Sequence, residues 1–252
     1  LTLGVNQISH GFKSWALWGL LISSFVLFYI FTMWSKKSQR RLLDLEVFKQ
    51  PAFVYGALAY FLLQFINIGT SFVLPNYVQI VGQQSSLIGG LILVPGSIIA
   101  GLLNPLFGSI YDRVGAKIPL YLGGILMTTS CLLFALFGLD LTIMMLIIFY
   151  GILMLGHRMA FSNTMAEALK LQSGHLRADA TAVCQTSQQL AGSVGTTIMA
   201  SIMGIWQNKG GASYASLTAQ GSQAAFYFTF ALGIIILFCY FKMFDLEKVI
   251  VQ

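Results

Sequence analysis

The ten residues GSIYDRVGAK, Gly108 to Lys117, hold three charges and two glycines between two of the most apolar runs in the chain. Only 9% of the 252 residues are Asp, Glu, Lys or Arg, so polarity concentrated in one short link needs a reason. The runs on either side decide the fold class. Hydrophobic residues make up 57% of the chain and its mean hydropathy is +0.79. A soluble domain would carry roughly 25% charged residues. A chain this poor in charge cannot cover a water-facing surface, and it reads as a membrane protein.

About 20 apolar residues cross a bilayer as a helix. Seven stretches reach that length: a (about 15–35), b (about 51–74), c (about 87–110), d (about 118–138), e (about 141–161), f (about 180–206) and g (about 223–243). They are too long and uniform for the alternating ten-residue strands of a barrel. The links between them alternate in charge. Lys36, Lys37, Arg40, Arg41 and Lys49 follow span a, Arg113 and Lys117 follow c, Arg158, Lys170 and Arg177 follow e, and Lys242 and Lys248 follow g. Those twelve cations fall on one side of the membrane, and only Lys13 and Lys209 fall on the other. The positive-inside rule puts the twelve in the cytoplasm, with residue 1 outside and residue 252 inside. The quoted stretch is then a cytoplasmic hairpin.

Each hairpin residue has an expected task. Gly108 allows close backbone approach, and Gly115 permits the tight turn. Asp112 is expected just before span d, facing the positive end of that helix, with Pro119 in its first turn. Arg113 and Lys117 can pair with carboxylates or phosphates. A simple topological anchor would need only the positive charges, and would not need Asp at the crowded centre.

GSIYDRVGAKIPL resembles the loop signature of the major facilitator superfamily, G-x-x-x-D-R-x-G-x-K-x-x-L, at Gly108, Asp112, Arg113, Gly115, Lys117 and Leu120. Ala116 stands where the family often has a second basic residue. LLDLEVFKQPAF (42–53), LPNYVQIVGQQSSLIGGLILVPG (74–96) and QTSQQLAGSVGTTI (185–198) resemble the fourteen-span drug:proton antiporters of the EmrB/QacA type. The resemblance implies an all-α transmembrane fragment of seven helices. Residues 1–50 would be the extra helix and a cytoplasmic linker, and 51–252 the C-terminal six-helix bundle. It also implies a rocker-switch carrier in which the hairpin, through Asp112 and Arg113, latches against a first half that precedes Leu1. The substrates would be amphipathic compounds, cationic ones included, exchanged for protons across the cell membrane.

A carrier needs polar groups at membrane depth. In span b, Gln64, Asn67 and Ser71 share a helix face; span c has Ser97 and Asn104; span f has Thr181, Gln185 and Gln188, with Gln189 beside them. Gln64, Asn67, Asn104, Gln185 and Gln188 are the candidates for the cavity wall, with interhelical bonding as the competing role. Span f also carries Gly192, Thr196, Ala200 and Gly204 at a spacing of four, which favours close helix contact. Spans d and g are mostly apolar and suit lipid-facing positions. No acid lies deep in a span, so the resemblance assigns proton coupling to the first half.

Other functions have less support. His10, His157 and His175 all read as interfacial, so no catalytic constellation is expected at depth. Cys131, Cys184 and Cys239 are odd in number and isolated in apolar runs, against a disulfide framework or a metal site. No cofactor is called for. No basic stripe interleaved with aromatics suggests nucleic acid. The competing readings are a carrier of another substrate, such as a lipid or metabolite, and a half-carrier scaffold that transports nothing.

Overall fold

Pro51, Pro95, Pro105 and Pro119 each stand in the first turn of a helix, whereas spans e, f and g contain no proline. The computed structural model describes residues 44–172 and 174–251, and every regular element among them is helical. Span a lies outside the described residues, with His10, Lys13, Lys36, Lys37, Arg40 and Arg41. A 3-10 turn, Leu45–Lys49, leads into α1 (Pro51–Ile80). Pro51 occupies the first helical turn, where its missing N–H has no partner to lose. Then come α2 (Ser86–Leu91), α3 (Val94–Leu102), α4 (Asn104–Val114), α5 (Lys117–Phe137) and α6 (Ile143–Lys170). A second 3-10 turn, Gly174–Leu176, precedes α7 (Arg177–Gln207) and α8 (Tyr214–Val251).

Spans b, d, e, f and g are single helices, α1 and α5 to α8, but span c is broken into three. Pro105 sits in the first turn of α4 and has no N–H to return to Gly101. The run Ser86–Leu102 meets Asn104–Val114 at a bend of 42°. Ser97 and Asn104, expected on one continuous face, lie on opposite sides of that break.

Among the described residues four helices, α1, α5, α6 and α8, are long and apolar enough to cross a bilayer, and the bent c segment makes a fifth if counted as one span. With 31 residues α7 has the length but not the apolarity, because Gln185, Gln188, Gln189 and a series of hydroxyls occupy its middle. Three helices outrun the expected spans: α8 begins at Tyr214, α6 continues to Lys170, and α1 runs on to Ile80. The second extension corrects a reading of the sequence. His157 and Arg158 do not end the helix of span e; they sit in mid-helix.

α1 is the hub, packed on α6, α7 and α8, while α5 packs on α6 and α8. The crossing of α5 and α6 is made by paired glycines. A Cβ on Gly123 would lie 2.7 Å from the Gly156 carbonyl oxygen, and one on Gly156 would lie 2.6 Å from that of Gly123. At the α1–α7 seam two positions are tight: a Cβ on Gly195 would come within 2.9 Å of the Phe65 carbonyl oxygen, and one on Gly69 within 2.9 Å of Met199 Cγ. A Cβ on Gly192, from the ladder expected to make this contact, would stay 3.7 Å from Ile68. Hydrogen bonds also join α5 to α6 and α6 to α8. Ser130 Oγ on α5 donates to the Phe149 carbonyl on α6 at 2.7 Å, and Thr164 on α6 shares a 2.7 Å bond with Tyr240 on α8. Such bonds contribute about 0.6 kcal/mol each on average in a membrane.

Candidate functional site

The hairpin is a sharp joint. α4 stops at Val114, Gly115 turns the chain at φ +78, and α5 starts at Lys117. The Gly115 N–H donates to the Tyr111 carbonyl at 3.0 Å, closing the last turn of α4. Asp112 is not in front of α5, as expected, but inside the C-terminal turn of α4. A carboxylate there faces the negative end of a helix dipole, so local helix electrostatics do not explain it. No described atom would lie within 4 Å of a Cβ on Gly108, so the close approach expected there is not made by the described residues.

The hairpin residues fall into two sets. Tyr111 and Lys117 are tied to the bundle. The Tyr111 hydroxyl donates to the carboxylate of Glu167 on α6, a group whose side chain is only 7% exposed. Lys170 Nζ lies 3.2 Å from the same carboxylate and 4.5 Å from the centre of the Tyr111 ring. Lys117 Nζ lies 5.6 Å from the centre of the Phe244 ring on α8. Asp112 and Arg113, by contrast, are exposed and have no ion-pair partner among the described residues. The sequence reading missed Tyr111, which occupies a variable position of the signature, and missed Glu167 as a buried anchor. The signal for Glu167 was an acid three residues before Lys170 in an otherwise apolar run.

A second polar region follows one stripe of α1. Tyr60, Gln64, Asn67 and Ser71 are spaced four, three and four residues apart, which puts them on one face. The Tyr60 hydroxyl donates to Gln188 Oε1 on α7 at 2.9 Å, and its ring stacks on Phe161 of α6 at 4.2 Å. Ser71 Oγ donates to the Asn67 carbonyl at 2.8 Å and lies 3.2 Å from the Tyr150 hydroxyl on α6. α6 and α7 thus flank this stripe and barely touch each other. Gln64 and Asn67 are half-buried on it, and Asn67 Oδ1 has no hydrogen-bond partner among the described residues.

On α7, Gln185, Gln189 and Ser193 are exposed beside the anchored Gln188. The structure therefore ties Gln188 to the Tyr60 end of this stripe, with Gln64 and Asn67 one and two turns further along α1 and Gln185 one turn from Gln188 along α7. Asn104 is exposed at the α3–α4 break and shares no hydrogen bond with them. His157, expected at the interface, is 2% exposed; its ring stacks on Phe161 at 4.8 Å, and neither ring nitrogen has a partner among the described residues. No group of three or more His, Cys, Asp or Glu among the described residues could hold a metal.

Comparison with known sequences places these features in context. The profile of the Major Facilitator Superfamily matches residues 8–196. The lincomycin resistance protein LmrB of Listeria monocytogenes is 28% identical over 259 aligned positions, covering 94% of this chain and 54% of that protein. Bacillus subtilis LmrB is 27% identical over 211 positions, covering 82% of this chain and 44% of its own length. The riboflavin transporter RibZ of Clostridioides difficile is 28% identical over 135 positions, covering 54% and 30%. The chain spans about half the length of the LmrB proteins it matches.

Proposed function

The chain belongs to the Major Facilitator Superfamily, and from that premise we propose that it is the C-terminal half of a proton-coupled multidrug exporter working by alternating access. Residues 51–252 form its six-helix unit, and residues 1–50 supply the extra helix and linker. The companion is a first half of similar size, consistent with relatives about twice as long. The exporter works in the cell membrane, with the hairpin and residue 252 in the cytoplasm.

One observation carries the mechanism. Tyr111 and Lys117 fix the hairpin to α6 and α8, while Asp112 and Arg113 are exposed and have no ion-pair partner among the described residues. A rigid base with two displayed, opposite charges suits a contact that forms in one state of the cycle and breaks in the other. Coupling of this kind is typically about 1–3 kcal/mol, or about 5–150-fold in a conformational equilibrium. The stripe Gln64–Asn67 with Gln185 and Gln188 lines the path, its amides offering hydrogen bonds to amphipathic compounds. Lincomycin is the first compound to test, given the names of the relatives. RibZ favours a second reading, a carrier of a metabolite such as riboflavin.

The test is lincomycin susceptibility of a sensitive host expressing the full-length protein, alongside riboflavin uptake and release. Resistance is expected for the wild type and is expected to fall about 5–150-fold in transport rate for Asp112→Asn at equal membrane abundance. Wild-type transport by that variant would sink the latch. Riboflavin flux without drug resistance would favour the second reading.

A further inference from the structure

Arg158 is a charged residue at an unexpected depth. It lies nine residues before Glu167, which is tied to the hairpin, so it sits about 13 Å deeper along the α6 axis. Half the thickness of a bilayer core is about 15 Å. The side chain is exposed, and among the described residues no carboxylate pairs with it. A guanidinium at that depth does not face hydrocarbon when a polar path is available.

The direction it faces follows from its neighbours on the helix. Gly151, two turns above on the same face, lies against α3, where a Cβ on Gly96 would come within 2.9 Å of the Gly151 Cα. Phe161, three residues below, stacks on Tyr60 of α1, and Tyr60 bonds Gln188 of α7. Arg158 therefore occupies the side of α6 between α1 and the broken span, next to the polar stripe. Ser162, one turn below, is exposed as well, whereas the outer end of this face carries Met144 and Ile148. The face changes from apolar to polar at Arg158.

We propose that Arg158 faces the translocation path and is the counter-charge for a carboxylate there, carried either by the transported compound or by an acidic side chain of the companion half. This rests on the transporter reading above and extends it to the chemistry of the path. Its guanidinium can take a carboxylate through two parallel N–H donors, which a lysine cannot reproduce.

The first experiment needs no transport. In full-length protein stripped of native cysteines, Arg158→Cys is exposed to a membrane-impermeant charged methanethiosulfonate, with Val114→Cys on the hairpin as the positive control. Modification of both is expected. Labelling of position 114 alone overturns the proposal, whether or not the protein exports drugs.

The second experiment follows carboxyfluorescein and ethidium in vesicles with wild-type, Arg158→Gln and Arg158→Lys proteins. At least a tenfold rise in KM for carboxyfluorescein alone in Arg158→Gln assigns the carboxylate to the substrate. Equal loss of both fluxes in Arg158→Gln, only partly restored in Arg158→Lys, assigns it to the protein. Unchanged flux of both probes in both variants overturns the proposal. If the wild type moves neither probe, the lincomycin test decides the exporter reading and the labelling result decides the position of Arg158.

Discussion

Tyr111 shows how much of the hairpin depends on a residue that its charge pattern does not advertise. Its hydroxyl reaches a buried carboxylate, and its ring lies beneath Lys170. A hydrogen bond to a charged group contributes about 1.5–3 kcal/mol. Tyr111→Phe keeps the ring and removes the donor, so thermal melting of the purified full-length protein in detergent should reveal a loss within that range. An unchanged melting temperature would mean that Lys170 alone satisfies Glu167. Asp112 and Arg113 were legible in the sequence because charge is conspicuous in an apolar chain. Tyr111 and Glu167 were not, since neither spacing nor composition shows which turn of α4 comes to rest against α6. His157 was misplaced for a related reason. Its polarity suggested the end of a helix, yet aromatic stacking and burial hold it in the interior.

At the scale of elements, apolar run length located the described helices well but set their ends poorly. The run tells where lipid stops, whereas the helix stops where its backbone finds a cap or a glycine. α6 shows this: it starts behind Thr142, whose hydroxyl accepts the Met145 N–H at 3.3 Å, and continues past the apolar run to Lys170. The break in span c was encoded by Pro105, but hydropathy averaged over it. The backbone-to-backbone crossing of α5 with α6 rests on Gly123 and Gly156; its signal was Gly156 four residues before Ala160, a pair of small residues that the sequence reading passed over. Gly156→Ala forces a methyl group against backbone, a form of overpacking that costs about 1–3 kcal/mol. The expected result is a lower melting temperature with α5 loosened first, seen as faster amide exchange there than in α7. Equal exchange in the two helices would show that the crossing is not the weak point.

For the molecule as a whole, the charge bias is the feature that composition expressed most clearly, and it holds with or without Arg158 on the cytoplasmic side. Reporter fusions to the full-length protein should confirm the orientation: fluorescence for green fluorescent protein fused after residues 116 or 172, and phosphatase activity for fusions after residues 140 or 210. The opposite pattern would invert the bundle and move the hairpin outside. The polarity of α7 has a consequence for how the protein is made. A segment with three central glutamines gains little by leaving the translocation channel for lipid alone, since each amide needs a partner in hydrocarbon. Its partners are already in the membrane, because α1 is synthesised first and Tyr60 offers Gln188 a hydrogen bond. Placed alone in a host protein, residues 177–207 should integrate poorly in a glycosylation-site assay, and integration should rise when residues 51–80 precede them. Full integration of the isolated segment would show that α7 needs no escort. Otherwise, the order in which the ribosome releases these helices is part of what builds the carrier.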